Sequence, residues 1–166
     1  MEAREQEALL KQRAARYARR AAPWVEEVVE YVAFCRGVGH YALPLVGLRE
    51  IRPLRHLARI PGASPVVPGV LHFRGELLSA HDLAAWMGHG TYVRPGWTLV
   101  VEHGGARLGL LADEVTGIEK MDASRLGPLP VTLVERGVCF RGVLGGHRLL
   151  LEPERLFSTP AFFRAF

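Results

Sequence analysis

The chain opens with a charged, helix-patterned segment and continues as a succession of short apolar runs punctuated by glycine. Over the first 22 residues, apolar positions recur at Ala3, Leu10, Ala14, Tyr17 and Ala21, a narrow heptad-like stripe. Glu2, Glu5 and Glu7 come early and Arg16, Arg19 and Arg20 late, an order that complements a helix dipole. Pro23 is the expected stop. The segment reads as a solvated helix docked on the body, with a coiled-coil or partner helix and an anionic-membrane contact as the alternatives.

From residue 25 the period changes. "VVEYVAFCR" (28–36) and "HYALPLVGLREI" (40–51) flank "GVG" (37–39), a hairpin signature. Pro44 inside the second run implies an edge strand or a bulge. "VPGVLHF" and "GELLSAH" predict two more strands around Arg74 and Gly75, and "DLAAWMG" (82–88) a short helix capped by Asp82 and closed by Gly88. A second hairpin, "WTLVVEH" (97–103) and "ARLGLLADEV" (106–115), turns on Gly104-Gly105, and "GIEKM" (117–121) follows. After the loop "DASRLGPLP" come two late strands, "GVCFRGV" (137–143) and a run within "GGHRLLLEPERLF" (145–157), turning on Gly145-Gly146. Roughly ten short strands with glycine turns point to a mainly β fold, a sandwich or barrels. Two small barrels sharing a core fit the two similar halves.

Composition narrows the function. The 166 residues suffice for one domain or two packed lobes. Residues 1–22 hold six Lys/Arg against three Glu, +3 of the net +4, so the body carries only +1 and offers no strong field for nucleic acid. No apolar run approaches the ~20 residues of a membrane span, and the N-terminus lacks a secretory core. Cys35 and Cys139, both in apolar runs, read as buried free thiols of a cytoplasmic protein.

No catalytic constellation assembles. The seven histidines show no metal-ligand spacing, and the serines, lysines and glycines form neither a nucleophile elbow nor a phosphate loop. His81 beside Asp82 suggests a base and its orienter, but neighbours in a strand point to opposite faces, so His81 is expected at the surface or half-buried. Asp113-Glu114 reads as a strand end with solvated carboxylates. A binding module is favoured over an enzyme, with no catalytic residues, metal or cofactor.

From about residue 30 to 157 the chain resembles the CheW family of chemotaxis coupling proteins. The resemblance rests on "YALPLVGLREI" (41–51), "IPGASPVVPGVLHFRGELLSAHDL" (60–83), "WMG" (86–88), "TLVVEHGGARLGLLADEVTGIEKM" (98–121) and "VLGGHRLLLEPERLF" (143–157), in order. Leu48, His72, Phe73, Ser79 and Glu152 stand where the family pattern has Val, Asn, Leu, Pro and Asp, changes of shape rather than class. The resemblance implies two five-stranded SH3-like β-barrels sharing a hydrophobic core, with strands exchanged between lobes. An N-terminal helix (1–23) is added to a CheW-like domain (24–166). It implies a non-catalytic adaptor linking methyl-accepting chemoreceptor tips to a CheA-type histidine kinase, cytoplasmic and recruited to receptor clusters at the inner membrane without inserting into it. A small nucleic-acid-binding barrel, or a CheW-like scaffold of a dedicated non-flagellar pathway, are the alternatives.

The resemblance places Leu48, Glu50, Gly69, Arg74 and Gly75 at the receptor-binding groove, with Gly69 allowing close chain approach. It assigns no kinase-contact residues. Arg74 keeps two readings: a partner contact offering a planar fork of donors, or an internal arginine bracing the two barrels through loop carbonyls. Gly75 is expected at a bulge or close backbone approach.

Overall fold

The structure is a computed structural model. It describes residues 2–26, 28–90, 94–133 and 135–166, with side chains described outside 15–26. Helix α1 spans Glu2–Glu26, so it runs through Pro23 rather than ending there, and the arginines at 16, 19 and 20 do not form its last turn. Residues 2–14 are exposed throughout.

Among the described residues eleven strands follow: β1 (Val28–Arg36), β2 (Gly39–Pro44), β3 (Leu48–Pro53), β4 (Ala58–Arg59), β5 (Gly69–Phe73), β6 (Glu76–His81), β7 (Trp97–His103), β8 (Ala106–Ala112), β9 (Glu114–Asp122), β10 (Phe140–Leu144) and β11 (Arg148–Leu151). Helix α2 (Leu83–Trp86) and helix α3 (Pro153–Phe157) interrupt them. The strands form two sheets, a five-stranded one ordered β10-β11-β2-β1-β9 and a six-stranded one ordered β3-β7-β8-β6-β5-β4. The sheets are therefore not the two halves of the sequence. The chain begins in the first sheet, crosses to the second for β3 to β8, and returns for β9 to β11.

The crossing explains why the run at 40–51 is not one strand. β2 ends at Pro44, a 3-10 turn occupies Leu45–Gly47, and β3 then joins the other sheet. Gly47 is required there, because a Cβ would lie 2.3 Å from Pro153 Cγ. β2 is an interior strand between β11 and β1, so Pro44 marks a strand end and not an edge. At the other end of the chain β11 stops at Leu151, and Pro153 opens α3 at a position where its missing N–H costs nothing. Gly137–Cys139, expected as strand, belong to a 3-10 turn that precedes β10.

The central strands β1, β2, β7 and β8 are buried on both faces and read as continuous apolar runs, whereas β5, β9 and β10 alternate between more and less exposed positions. In β1, Val32 and Phe34 enter a core shared by both sheets, where they meet Leu43, Leu99, Val101, Leu108 and Leu110. Tyr31 and Ala33 face the other way, toward Ala42, Leu144 and Leu150. The second sheet has its own inner cluster, Leu71, Phe73, Leu78, Ala80, Val100 and Leu111. Helix α2, capped by the Asp82 carboxylate, sends Leu83 into the shared core.

The strand body thus buries its apolar surface without residues 2–14. Deleting residues 1–22 is expected to leave a single cooperative thermal transition within about 3 °C of the full chain, because the strands and their core clusters all begin later in the chain. Loss of that cooperative transition would place the helix within the folding unit.

Candidate interaction site

Arg74 and Gly75 form the two-residue turn between β5 and β6, with φ of 47° and 80°. Two successive positive φ values match the right-handed twist of a hairpin. Arg74 is the only non-glycine residue with positive φ among those described. An L residue pays a steric penalty in that conformation, and such strain is concentrated at functional positions. A Cβ on Gly75 would meet nothing within 4 Å, so its role is the turn and not a bulge or close approach.

The Arg74 side chain is 66% exposed and its Nη2 lies 3.2 Å from Glu50 Oε2 on β3. This excludes the internal-brace reading: most of the side chain is exposed, and its ion pair stays within the second sheet. Arg52 Nε approaches the other Glu50 oxygen at 3.7 Å, and Arg52 Nη1 donates to the His72 carbonyl at 3.3 Å. Next to them, Arg107 donates to Glu102 at 2.7 Å and to Glu76 at 3.3 Å. The Arg107 hydrogen bond holds the Glu102 carboxyl below its ordinary range.

Leu48 opens β3 opposite Val101 and packs half-buried against the shared core. Gly69 is not brought to this cluster. It starts β5, five residues from Arg74, or about 17 Å along an extended strand. Its glycine is needed for another reason: a Cβ would sit 2.2 Å from the Ala58 carbonyl oxygen on β4. The close approach is real, but it is to the chain's own strand.

Where the chain leaves the first sheet lies a groove of about 530 Å³ lined by Val28, Glu30, Pro44, Leu45, Val46 and Lys120. Val46 is 93% exposed and Val28 54%, and Ile118 on β9 adds a further exposed apolar side chain. The Lys120–Glu30 ion pair, 3.1 Å, borders the groove. The groove lining ends at Val46, four residues before the Glu50 that pairs with Arg74. The sequence reading missed Val28, Val46 and Ile118, since single apolar residues in apolar runs carry no local mark of exposure.

The residue that does brace the two sheets is Arg36, at the end of β1. It is 4% exposed. Its Nε and Nη2 bind both oxygens of Asp82 at 3.2 and 2.9 Å, and Nη1 binds Asp113 at 2.6 Å. Burial disfavours the charge, yet the hydrogen bonds to Asp82 and Asp113 outweigh it and hold the guanidinium above its ordinary pKa. Asp113, expected to be solvated, is thus an ion-pair partner that also accepts the Gly37 N–H at 2.7 Å. His81 corrects a second expectation. It is fully buried, between Ser79 Oγ at 2.7 Å and the Phe162 carbonyl at 3.0 Å. Cys139 is buried and its thiol pushed up to about 11 by desolvation, whereas Cys35 is only half-buried.

Among the described residues no cluster of His, Cys, Asp and Glu could hold a metal ion, and no helix is long and apolar enough to cross a membrane. A family model for the CheW-like domain matches residues 30–160. The chain belongs to the CheW family. It is 26% identical over 136 residues to the chemotaxis protein CheW of Klebsiella aerogenes, covering 78% of this chain and 82% of that one. It is 30% identical over 110 residues to protein PilI of Pseudomonas aeruginosa, covering 61% of each. The scaffolding protein TtCheW of Thermoanaerobacter tengcongensis shares the fold, with a TM-score of 0.66 at 19% identity over 76% of this chain and 90% of that structure. The mainly β two-sheet architecture with its core between the sheets is the CheW fold; α1 precedes the matched region.

Proposed function

We propose that this chain is a non-catalytic adaptor that couples chemoreceptor tips to a CheA-type histidine kinase, and that the face running from Val46 through Leu48 and Glu50 to Arg74 takes the receptor. The observation that carries this reading is an exposed arginine held in strained backbone and paired to Glu50, four residues beyond the Val46 that lines an apolar groove. A receptor helix needs both parts: the groove buries its apolar stripe, and the guanidinium binds a carboxylate or amide beside it. Family membership supports the kinase as second partner. The face is assigned to the receptor alone, so the kinase is expected to dock elsewhere. The similarity to PilI, a relative not named for chemotaxis, supports a second version in which receptor and kinase belong to a dedicated pathway.

Arg74→Asn is the test, because asparagine tolerates the left-handed turn. Binding of a chemoreceptor tip fragment is expected to weaken by about 1–3 kcal/mol, the range for a central interface arginine. Binding of the kinase regulatory domain is expected to stay unchanged. Stability is expected to fall by less than about 1 kcal/mol, as for an exposed ion pair. Parallel titrations of both partners beside a thermal melt decide it. Equal loss of both partners would overturn the assignment of this face to the receptor.

A further inference from the structure

Phe73 precedes the Arg74 turn and is 1% exposed, at the end of the second sheet's inner cluster. What covers its ring is charge. The guanidinium carbons of Arg74, Arg52 and Arg107 lie 5.3, 5.4 and 6.0 Å from the ring centroid. All three fall within cation–π range, and the ring's negative face attracts each of them. The three arginines come from a turn, from β3 and from β8, so no local sequence pattern gathers them. Glu50 joins Arg52 to Arg74, and Glu102 and Glu76 hold Arg107. Arg49 extends the group toward Glu102 at 3.9 Å. The group then counts four arginines against three glutamates, one carboxylate short of balance.

We propose that Phe73 is a positioning residue of the recognition face: its ring holds the Arg52, Arg74 and Arg107 guanidinium groups in place for a carboxylate on the partner helix. This rests on the reading of the face as a receptor site and names the chemistry it selects. A long exposed arginine loses several rotatable bonds on binding, and a ring that orders it in the free protein removes part of that entropic cost. A leucine, the residue of the family pattern at this position, fills the same core space but has no quadrupole to orient a cation. The arginines on Phe73 are therefore preorganised in a way the family pattern alone does not supply.

The test replaces Phe73 with phenylalanines carrying one, two and three ring fluorines, introduced at this site in the full chain. Fluorine withdraws charge from the ring face while leaving its shape and hydrophobic burial nearly unchanged. Two readouts are taken. The first is nitrogen relaxation of the Arg74 side-chain Nε–H in the free protein, expected to show increasing motion with each fluorine. The second is affinity for a chemoreceptor tip fragment, expected to fall stepwise to a total of about two- to fivefold, the range for exposed cation–π pairs, while the melting temperature stays constant. Unchanged Arg74 motion across the series overturns the positioning role, whether or not the fragment binds. A wild-type chain that shows no fragment binding while Arg74 motion still tracks fluorination overturns the receptor reading and leaves the ring's hold on the arginine standing. A tip fragment whose acidic residues are changed to amides, binding as tightly as the original, overturns the carboxylate as the group recognised.

Discussion

Replacing Arg36 with alanine lowers the unfolding free energy by about 3–5 kcal/mol, the cost of removing one partner from a buried ion pair. The side chains of Arg36 and Asp82 are 5% and 9% exposed and that of Asp113 is 15% exposed, so water screens the group poorly. Without the guanidinium two carboxylates face one another near the junction of the sheets. Asp82 also accepts the Ala84 N–H at 3.0 Å as the cap of α2, and Asp113 holds the β1–β2 turn through Gly37. Disturbing them loosens both α2 and the β1–β2 turn. For a chain of this size the loss corresponds to a fall in melting temperature of roughly 6–20 °C. Arg36→Lys keeps the charge but loses the fork that reaches both aspartates, so it is expected to fall between alanine and wild type. Urea unfolding of the three proteins measures the series. An alanine cost under about 1 kcal/mol, the range of an exposed pair, would show that the clasp contributes no more than a surface contact.

The second large effect is expected from acid. Burial pushes the His81 imidazole down to about 4, against an ordinary value of 6.5, with the Phe162 carbonyl hydrogen bond opposing part of that shift. The folded state therefore binds the proton less readily than the unfolded state. The stability carried by neutral His81 is fully present above about pH 6.5 and is lost as pH falls from there through about 4. The whole loss is about 3 kcal/mol, most of it reached by pH 4.5. What charging would release is identifiable: the His81 ring stacks on Phe162 at 4.6 Å and meets Phe163 edge-on at 5.0 Å, pinning the C-terminal 3-10 turn. Carboxylates also titrate in this window, so the measurement is a comparison. Urea unfolding at pH 7.5 and 4.5 is run on wild type and on His81→Gln. The variant starts less stable and is expected to lose about 2–3 kcal/mol less than wild type on acidification. Equal losses in the two proteins would show that His81 does not carry the pH dependence.

Arg36 and Arg74 show how far local pattern reaches. Each arginine ends a strand-like apolar run before glycine, "YVAFCRG" and "GVLHFRG". Locally the two are equivalent, and the pattern around Arg74 alone admits a buried brace. Only the tertiary arrangement separates them. Arg36 meets Asp82 and Asp113, which follow strands of the opposite sheet, whereas Arg74 occupies a hairpin tip with one carboxylate beside it. His81 failed the alternation rule for a related reason. The strand ends there, and the face expected to be open is covered by a turn 81 residues further along the chain.

The sequence by itself determined the strands and turns that local chemistry controls. β1 and β7 match their predicted limits, 28–36 and 97–103, because β-branched and apolar runs end at glycine pairs or glycine turns whose positive φ other residues resist. It also determined the Asp82 cap of α2, a contact made within three residues. The ordered motifs sufficed for the family. Tertiary structure alone decided which sheet each strand joins, since β2 and β3 are adjacent in sequence yet hydrogen-bond to strands that lie up to 108 residues away on opposite sides of the core. It likewise decided the face: an exposed Val46, a Glu50–Arg74 pair 24 residues apart, and three guanidinium groups from separate elements around Phe73. Those depend on long-range packing that buries apolar area non-directionally, and a non-directional force leaves no mark on the sequence of which partners it will bring together.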